Sequence, residues 1–268
     1  MYTDSHCHIF SKNLLLTIDD ILNNCIKTNT LHLVNVECER NSIQKSLELS
    51  QSLPHYQLLN IKHSIGVHPD HFHDPDIVAF HDEIHEIISE LQETHTNYSD
   101  IIVAIGECGL DYYRSFHKEA QKELFIAQIL LAQKLHLPVV IHIREAWGDF
   151  FEIFSEFPNV PGVMHCFTGN TEIAEWIVKN TSLHISFSGI VTFKNAKDIQ
   201  EAVLSVPHSR LLIETDSPYL APEPHRGKTN EPSYVQFVAK KIAELLGKDQ
   251  EYIGKVTTEN AKKLFGFV

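Results

Sequence analysis

Short apolar runs of β type recur along the chain, and between them lie longer stretches whose apolar positions fall three and four residues apart. The runs are Tyr2–His6, Leu31–Val36, Leu58–Gly66, Ile101–Gly106, Val139–His142, Gly162–His165, Leu183–Ser186 and Leu211–Glu214. The clearest intervening stretch is Lys118–Leu135, which sets Ala120, Leu124, Ala127, Leu131 and Leu135 on one helical face. Pro138 closes that helix and opens the next run. Strands alternating with helices predict parallel βαβ units. Eight such runs in a chain of this length predict an α/β fold, a (β/α)8 TIM barrel with its active site at the C-terminal ends of the strands. The proline-rich segment Pro218–Pro232 carries Arg226 and Lys228; it predicts a long loop after the last strand, followed by a helix over Tyr234–Leu246. No linker, low-complexity segment or internal repeat interrupts the pattern, so residues 1–268 read as one domain.

Of the 268 residues, 43% are hydrophobic, enough for a sizeable core. No apolar run is long enough to span a bilayer, and Met1-Tyr-Thr-Asp-Ser-His has no basic region leading into an apolar one. A cytoplasmic protein without a membrane association is the expectation. The five cysteines show no Cys-x-x-Cys spacing, and an odd number suits a reducing compartment. Three of them, Cys7, Cys108 and Cys166, adjoin histidines or acids singled out below. A neighbour of an inward-pointing strand residue points outward, so all three read as small apolar side chains beneath helices, not as thiolate ligands.

The formal net charge of −13 argues against a protein that coats a long duplex. Its distribution changes the picture. Between Asp70 and Asp100 stand nine acids and no Lys or Arg, and the rest of the chain carries only −4. That segment reads as a solvated helix face, which leaves contact with a few nucleotides through metal ions compatible with the charge.

Candidate chemistry gathers at the ends of five of the runs. His6 and His8 stand at the first, Glu107 at the fourth, His142 at the fifth, His165 at the sixth and Asp216 at the eighth. Imidazole and carboxylate are the ligands of divalent metals in hydrolysis, and alternate strand residues share a face, so His6 and His8 can converge on one ion. Six ligands can hold two ions about 3.5–4 Å apart, with one carboxylate bridging, and clamp a hydroxide against a phosphoryl oxygen. Two divalent ions bring roughly +4, two carboxylates and a hydroxide remove about three units, and the pocket can be positive inside an acidic protein. Histidine pairs alone say little in a chain with 18 histidines: His71 with His73, and His81 with His85, lie in the acidic segment and read as surface residues.

Asp4-Ser-His-Cys-His8, Gly66-Val-His-Pro69, Ala104-Ile-Gly-Glu-Cys-Gly-Leu-Asp-Tyr-Tyr113, His165-Cys-Phe-Thr-Gly169, Ser186-Phe-Ser-Gly-Ile-Val-Thr-Phe-Lys194, Glu214-Thr-Asp-Ser-Pro-Tyr-Leu220 and the segment from Arg226 to Pro232 occur in this order. Together they resemble the TatD family of metal-dependent deoxyribonucleases, amidohydrolase-like barrels described as 3′–5′ exonucleases on DNA, some also acting on RNA. The resemblance covers essentially the whole chain. It implies two divalent ions, drawn from Zn, Mn, Mg, Ni and Fe: one held by His6, His8, Glu107 and Asp216, the other by Glu107, His142 and His165. It implies single-stranded DNA or DNA 3′ ends as partner, with RNA as a further one, and no obligate protein partner. Glu107 stands where related barrels carry a carboxylated lysine, which favours this family over phosphotriesterase-like or dihydroorotase-like readings.

Other residues are read less sharply. Glu107, Asp216 and His68 are the candidate catalytic groups: Asp216 as a metal ligand that also accepts a proton, His68 as a phosphate binder or an orienter of a ligand, against a packed histidine. Arg114, Arg144, Lys194 and Arg226 fall in loops after the fourth, fifth, seventh and eighth strands, where phosphate contact and a solvated charge are equally compatible. Glu214 has the type of an inward supporting acid. Tyr112, Tyr113 and Phe193 can stack bases or simply pack. The competing functions are hydrolysis of another phosphoester or of an aminoacyl ester on RNA with the same metals, and a metal-stabilised scaffold, which six ligands at a barrel mouth disfavour.

Overall fold

The structure is a computed structural model and describes residues 1–15, 17–53, 58–72, 80–114 and 117–267; His73 lies outside them. Eight parallel strands follow one another in the order of the sequence, β1 to β8, and form a nearly closed barrel. They are β1 (Tyr2–Cys7), β2 (Thr30–Glu37), β3 (Asn60–Ile65), β4 (Ile102–Asp111), β5 (Val139–Arg144), β6 (Gly162–Met164), β7 (Leu183–Phe187) and β8 (Leu211–Ile213). Around them run α1 (Lys12–Leu15), α2 (Ile18–Lys27), α3 (Ile43–Ser52), α4 (Phe80–Asn97), α5 (Lys118–Leu135), α6 (Trp147–Glu156), α7 (Thr171–Asn180), α8 (Lys197–Ser205), α9 (Val235–Leu246) and α10 (Gln250–Phe265). None of the helices among the described residues is long and apolar enough to cross a membrane.

The eight expected strands are all present, with shifted ends. Leu58 and Leu59 belong to a turn before β3, and β4 continues five residues beyond the expected Gly106. The helix over Lys118–Leu135 has the expected bounds and ends where His136 turns left-handed (φ 57°), with Leu137 donating back to Ala132 at 2.9 Å ahead of Pro138. Its buried face differs in part from the expected stripe. Ala127 and Leu135 are only partly buried, and Gln121 and Gln128 are fully buried in their stead. The segment Pro218–Pro232 is a loop up to a short 3₁₀ turn, Pro232–Tyr234, before α9. The acidic helix α4 is not purely solvated. Arg40, beyond the end of β2, pairs with Glu90 at 2.5 Å and Glu86 at 3.4 Å.

Strand alternation sorts the barrel into two layers. Val34, Val36, Ala104, Val140, Val163 and Leu212 cluster together and are met by Ala261, Phe265 and Phe267 from α10 and the C-terminus. Residues of opposite parity, among them Ile65, Ile105, Ile141, Ile185 and Ile213, pack with the helices. Two residues further along several strands, the first parity carries the candidate ligands: His142 follows Val140, and His165 follows Val163. On β4 strict alternation after Ala104 would turn Cys108 inward. The β4–β5 register shifts between Ile105 and Cys108, so Glu107 faces inward and Cys108 packs on the helix side. Cys7 lies likewise in an outer cluster with Leu22, Cys25 and Leu33.

Two glycines make that irregularity possible. Gly106 and Gly109 have φ of +144° and +140°, and a Cβ at either would strike the backbone of β5, 2.4 Å from the Val140 oxygen and 1.9 Å from the His142 oxygen. The seam between β8 and β1 is closed at the mouth. Asp216 donates its N–H to His6 O at 2.9 Å, His8 donates to Ser217 O at 2.8 Å, and the buried Asp4 carboxylate accepts from Thr215 N at 2.9 Å. Gly109→Ala is expected to destabilise the protein by about 3 kcal/mol or more, because β5 must move to admit the methyl group. Urea unfolding of the two proteins checks this; an unshifted midpoint would show that the β4–β5 edge yields freely.

Candidate metal centre

Five strands deliver the six candidate ligands to one place. Glu107 and His142 lie within β4 and β5, short of the strand ends, because both strands continue to Asp111 and Arg144. His8, His165 and Asp216 follow their strands directly or within three residues. Asp216 sits at φ 57°, a left-handed conformation that a short polar side chain tolerates, and its backbone N–H is spent on the seam.

Glu107 is the centre of the arrangement. Its Oε1 lies 2.9 Å from His165 Nε2, 3.0 Å from His142 Nδ1 and 3.6 Å from His68 Nε2, and its Oε2 lies 3.6 Å from His6 Nε2. Asp216 Oδ1 lies 3.6 Å from His8 Nε2 and 3.7 Å from His6 Nε2. Two groups able to hold a metal result, His6–His8–Asp216 and Glu107–His142–His165, and Glu107 touches both. Two further groups, His6–His165–Glu214 and His68–Asp111–His142, combine these histidines with the carboxylates behind them.

The outer nitrogens of three imidazoles are directed by oxygen acceptors. His8 Nδ1 donates to the carbonyl of Val36 at 2.8 Å, His165 Nδ1 faces Glu214 Oε1 at 3.3 Å, and His142 Nε2 faces Asp111 Oδ2 at 3.2 Å. Their other nitrogens are thereby turned to the centre. There nitrogens confront one another: His6 Nε2 and His8 Nε2 at 3.2 Å, His142 Nδ1 and His165 Nε2 at 3.3 Å. Lone pairs at such distances repel unless a proton or a cation lies between them. The donor set, imidazole nitrogen mixed with carboxylate oxygen, fits a divalent ion.

The titration behaviour shows the same tension. Burial alone would raise Glu107, but the charge of His165 and the hydrogen bonds from His142 and His165 hold it well below the usual carboxylate range. Burial also opposes charge on His8, yet Asp216 and Glu107 carry it up to about 9; against the same penalty Asp111 and Glu107 raise His142, and Glu107 and Glu214 raise His165. His6, fully buried, is pushed well down, first by desolvation and then by His165, on whose ring it stacks at 3.9 Å. Protons on the outer histidines thus balance Glu107 where a metal would, and metal uptake must displace them.

The remaining residues divide by side of the mouth. His68 touches Glu107 and packs its ring 4.7 Å from that of His142, while its Nδ1 meets Asp70 Oδ1 at 2.6 Å. Arg114 reaches Asp70 at 3.6 Å, and Arg144, the last residue of β5, lies 3.8 Å over the exposed ring of Tyr113. Across from them Arg226 lies 4.3 Å over Phe193, with Lys194 exposed beside it. Tyr112 is turned away from this role: its hydroxyl donates to Asp149 on α6 and its ring packs under Lys118. Glu214 is fully buried against His165 and Cys166 N. Cysteine enters none of the metal-capable groups among the described residues. His71 is half-buried against Glu83, whereas His81 and His85 are exposed.

Asp111, Gln121 and Gln128 were not singled out in the sequence. Gln121 brackets Asp111, accepting from its N–H at 2.7 Å and donating to its carbonyl at 3.0 Å; Gln128, two turns on, does the same for Val67 at 2.9 and 3.0 Å. Two amides seven residues apart on an otherwise apolar helical face are the signal that would have revealed them.

Barrel and cluster together define a class, the metal-dependent hydrolases built on a (β/α)8 barrel. Within it, the family model described as TatD related DNase matches residues 3–266, and the chain belongs to that family. It is 40% identical to an uncharacterized metal-dependent hydrolase of Bacillus subtilis (strain 168), YabD, with 99% of each chain covered. It is 37% identical to another, YcfH of Escherichia coli (strain K12), over 98% of this chain and 94% of that one. The fold matches the crystal structure of YJJV, a TatD homolog from Escherichia coli K12, with a TM-score of 0.85 at 23% identity over 100% and 98% of the two chains.

Because Glu107 touches both groups, Glu107→Ala is expected to lower metal uptake by both, whereas His165→Ala should spare the His6–His8–Asp216 group. Elemental analysis of the purified variants checks this, and a full metal complement in Glu107→Ala would refute the shared role.

Proposed function

We propose that the chain is a 3′–5′ exodeoxyribonuclease of the cytoplasm, acting on single-stranded DNA or DNA 3′ ends, with RNA as a further substrate, through two divalent ions. The observation that carries the reading is the pair of guanidinium–aromatic contacts at the mouth, Arg144 over Tyr113 and Arg226 over Phe193, flanking the Glu107-centred ligands. A guanidinium beside a ring that is exposed, as at Tyr113, or half-buried, as at Phe193, offers a phosphate contact and a stacking face together, which suits a single strand and has little use for a small ester. The DNase description of the family supports the same substrate class.

His6, His8 and Asp216 would hold one ion, His142 and His165 the other, and Glu107 would bridge. Ions bound there lower the pKa of water towards about 7 and polarise a phosphoryl oxygen. The chain's own groups do the rest. Asp216 accepts the proton of the attacking nucleophile, its carboxylate sharing the mouth with His8 and keeping partial solvent access. His68, its Nδ1 engaged by Asp70, holds its ring beside Glu107 and His142, within reach of a bound phosphate. Arg114 and Arg144 sit on the same side as His68 and hold the strand in register for cleavage.

The test is to incubate metal-loaded protein with end-labelled single-stranded DNA, RNA and an aminoacyl ester, with and without a chelator. Stepwise release of 5′-mononucleotides from the 3′ end, abolished by chelation, is the expected result. Cleavage of the ester alone would replace this reading with an esterase. Asp216→Asn keeps the shape and one coordinating oxygen but not the proton acceptor. It should lose roughly 100-fold or more in single-turnover rate while keeping most of its metal; near-normal turnover would place the proton on another group, with His68 the first to examine.

A further inference from the structure

We infer that Asp111 is a positioning residue that fixes the tautomer of His142 and, with its second oxygen, the loop that carries Tyr113 and Arg114. The inference rests on the reading of His142 as a metal ligand.

Asp111 ends β4 and is fully buried. Its main chain is clamped on both sides by Gln121, so the side chain has little freedom to leave. The two carboxylate oxygens do different things. Oδ1 accepts the backbone N–H groups of Tyr113 at 3.0 Å and Arg114 at 2.9 Å. Oδ2 faces His142 Nε2 at 3.2 Å. His142 turns its Nδ1 to Glu107 Oε1 at 3.0 Å. An ionised carboxylate only accepts, so the proton on Nε2 is held there, and the proton that Nδ1 shares with Glu107 is the one a metal would displace, leaving the Nδ1 lone pair for the centre. His142 differs in this from His8 and His165, which present Nε2 and are held at Nδ1. The reversed orientation places its ring edge towards the β4 loop and lets one carboxylate serve both the centre and the rim. The geometry thus ties the direction of a ligand to the position of the residues proposed to meet the substrate.

Asp111→Asn separates the two roles. The Oδ1 atom must stay with the two N–H groups, so the amide nitrogen replaces Oδ2 opposite His142. That nitrogen donates, the imidazole must accept at Nε2, and the proton moves to Nδ1, where it blocks the lone pair. With Zn as the probe, the variant should fold like the parent, keep one high-affinity position and bind roughly 10–100-fold more weakly at the other, measured by chelator competition. In Zn-loaded parent protein with 15N-labelled histidine, His142 should show ligation through Nδ1 and a slowly exchanging proton on Nε2. Both readouts are independent of any substrate, so they stand whether or not the chain degrades DNA. Unchanged Zn affinity in a folded Asp111→Asn would overturn the inference. Should the variant not fold, the parent's spectrum decides: ligation through Nε2, or no proton there, overturns it equally.

Discussion

A carboxylate ringed by imidazoles in a nearly closed barrel governs how this molecule is built. Glu107 is 5% exposed, and four histidine rings approach it within 3.6 Å. A buried charge is tolerated only when paired and hydrogen-bonded. Here the partners are bases with lone pairs of their own, pressed together at 3.2 to 3.3 Å. Protons can balance such a set only by charging histidines against their desolvation, and divalent cations balance it with every donor engaged. The pull on protons and the affinity for metal are two expressions of one electrostatic problem.

The scaffold bends its own rules to create that problem. Inward parity on β4 is reversed by one register shift, which two glycines with positive φ allow at the cost of backbone contact with β5. The candidate ligands His6, His8 and Asp216 lie on the seam, where regular ladder pairing gives way to individual bonds donated by the Asp216 and His8 N–H groups and accepted by Asp4. Side chains are freed for chemistry at the places where the backbone departs from regular structure. The helix layer compensates, since Gln121 and Gln128 replace ladder partners that β4 and the β3 loop lack.

Much of this was legible in the sequence. Eight apolar runs gave the barrel, because a parallel strand buried on both sides leaves a continuous hydrophobic trace. The six ligand types fell at strand ends, and the structure brings all six together. What escaped was of a different kind. Strict alternation turns Cys108 inward and Glu107 outward, and only the shift at Gly106 restores the observed sides; periodicity does not report a bulge. The extension of β4 to Asp111 was hidden because Gly109 and Asp111 are poor strand formers, held there by pairing with β5 and by Gln121. A buried glutamine scores as a break in an apolar stripe, so the residues that support the site looked like noise in helix α5. Tyr112 belonged by position to the rim but donates its hydroxyl to Asp149 and faces the helices.

The acidic net charge is reconciled with the proposed polyanionic substrate by where the charges are held. Acids of α4 are drawn into a network by Arg40, and the guanidinium groups of Arg114, Arg144 and Arg226 stand around the mouth. At physiological salt the screening length is about 8 Å, so a phosphate at the mouth responds first to the cations and the centre beside it. Such a protein gains little from contacting a long backbone, because few cations are available to release counterions along it. On the proposed function, affinity then comes from the last nucleotides, where phosphate, base and metal can be met at once. Under the proposed reading the acidic outer surface and the guanidinium groups at the mouth jointly favour a chain end over its interior, and the charge that argued against coating a long duplex becomes part of how an end is selected.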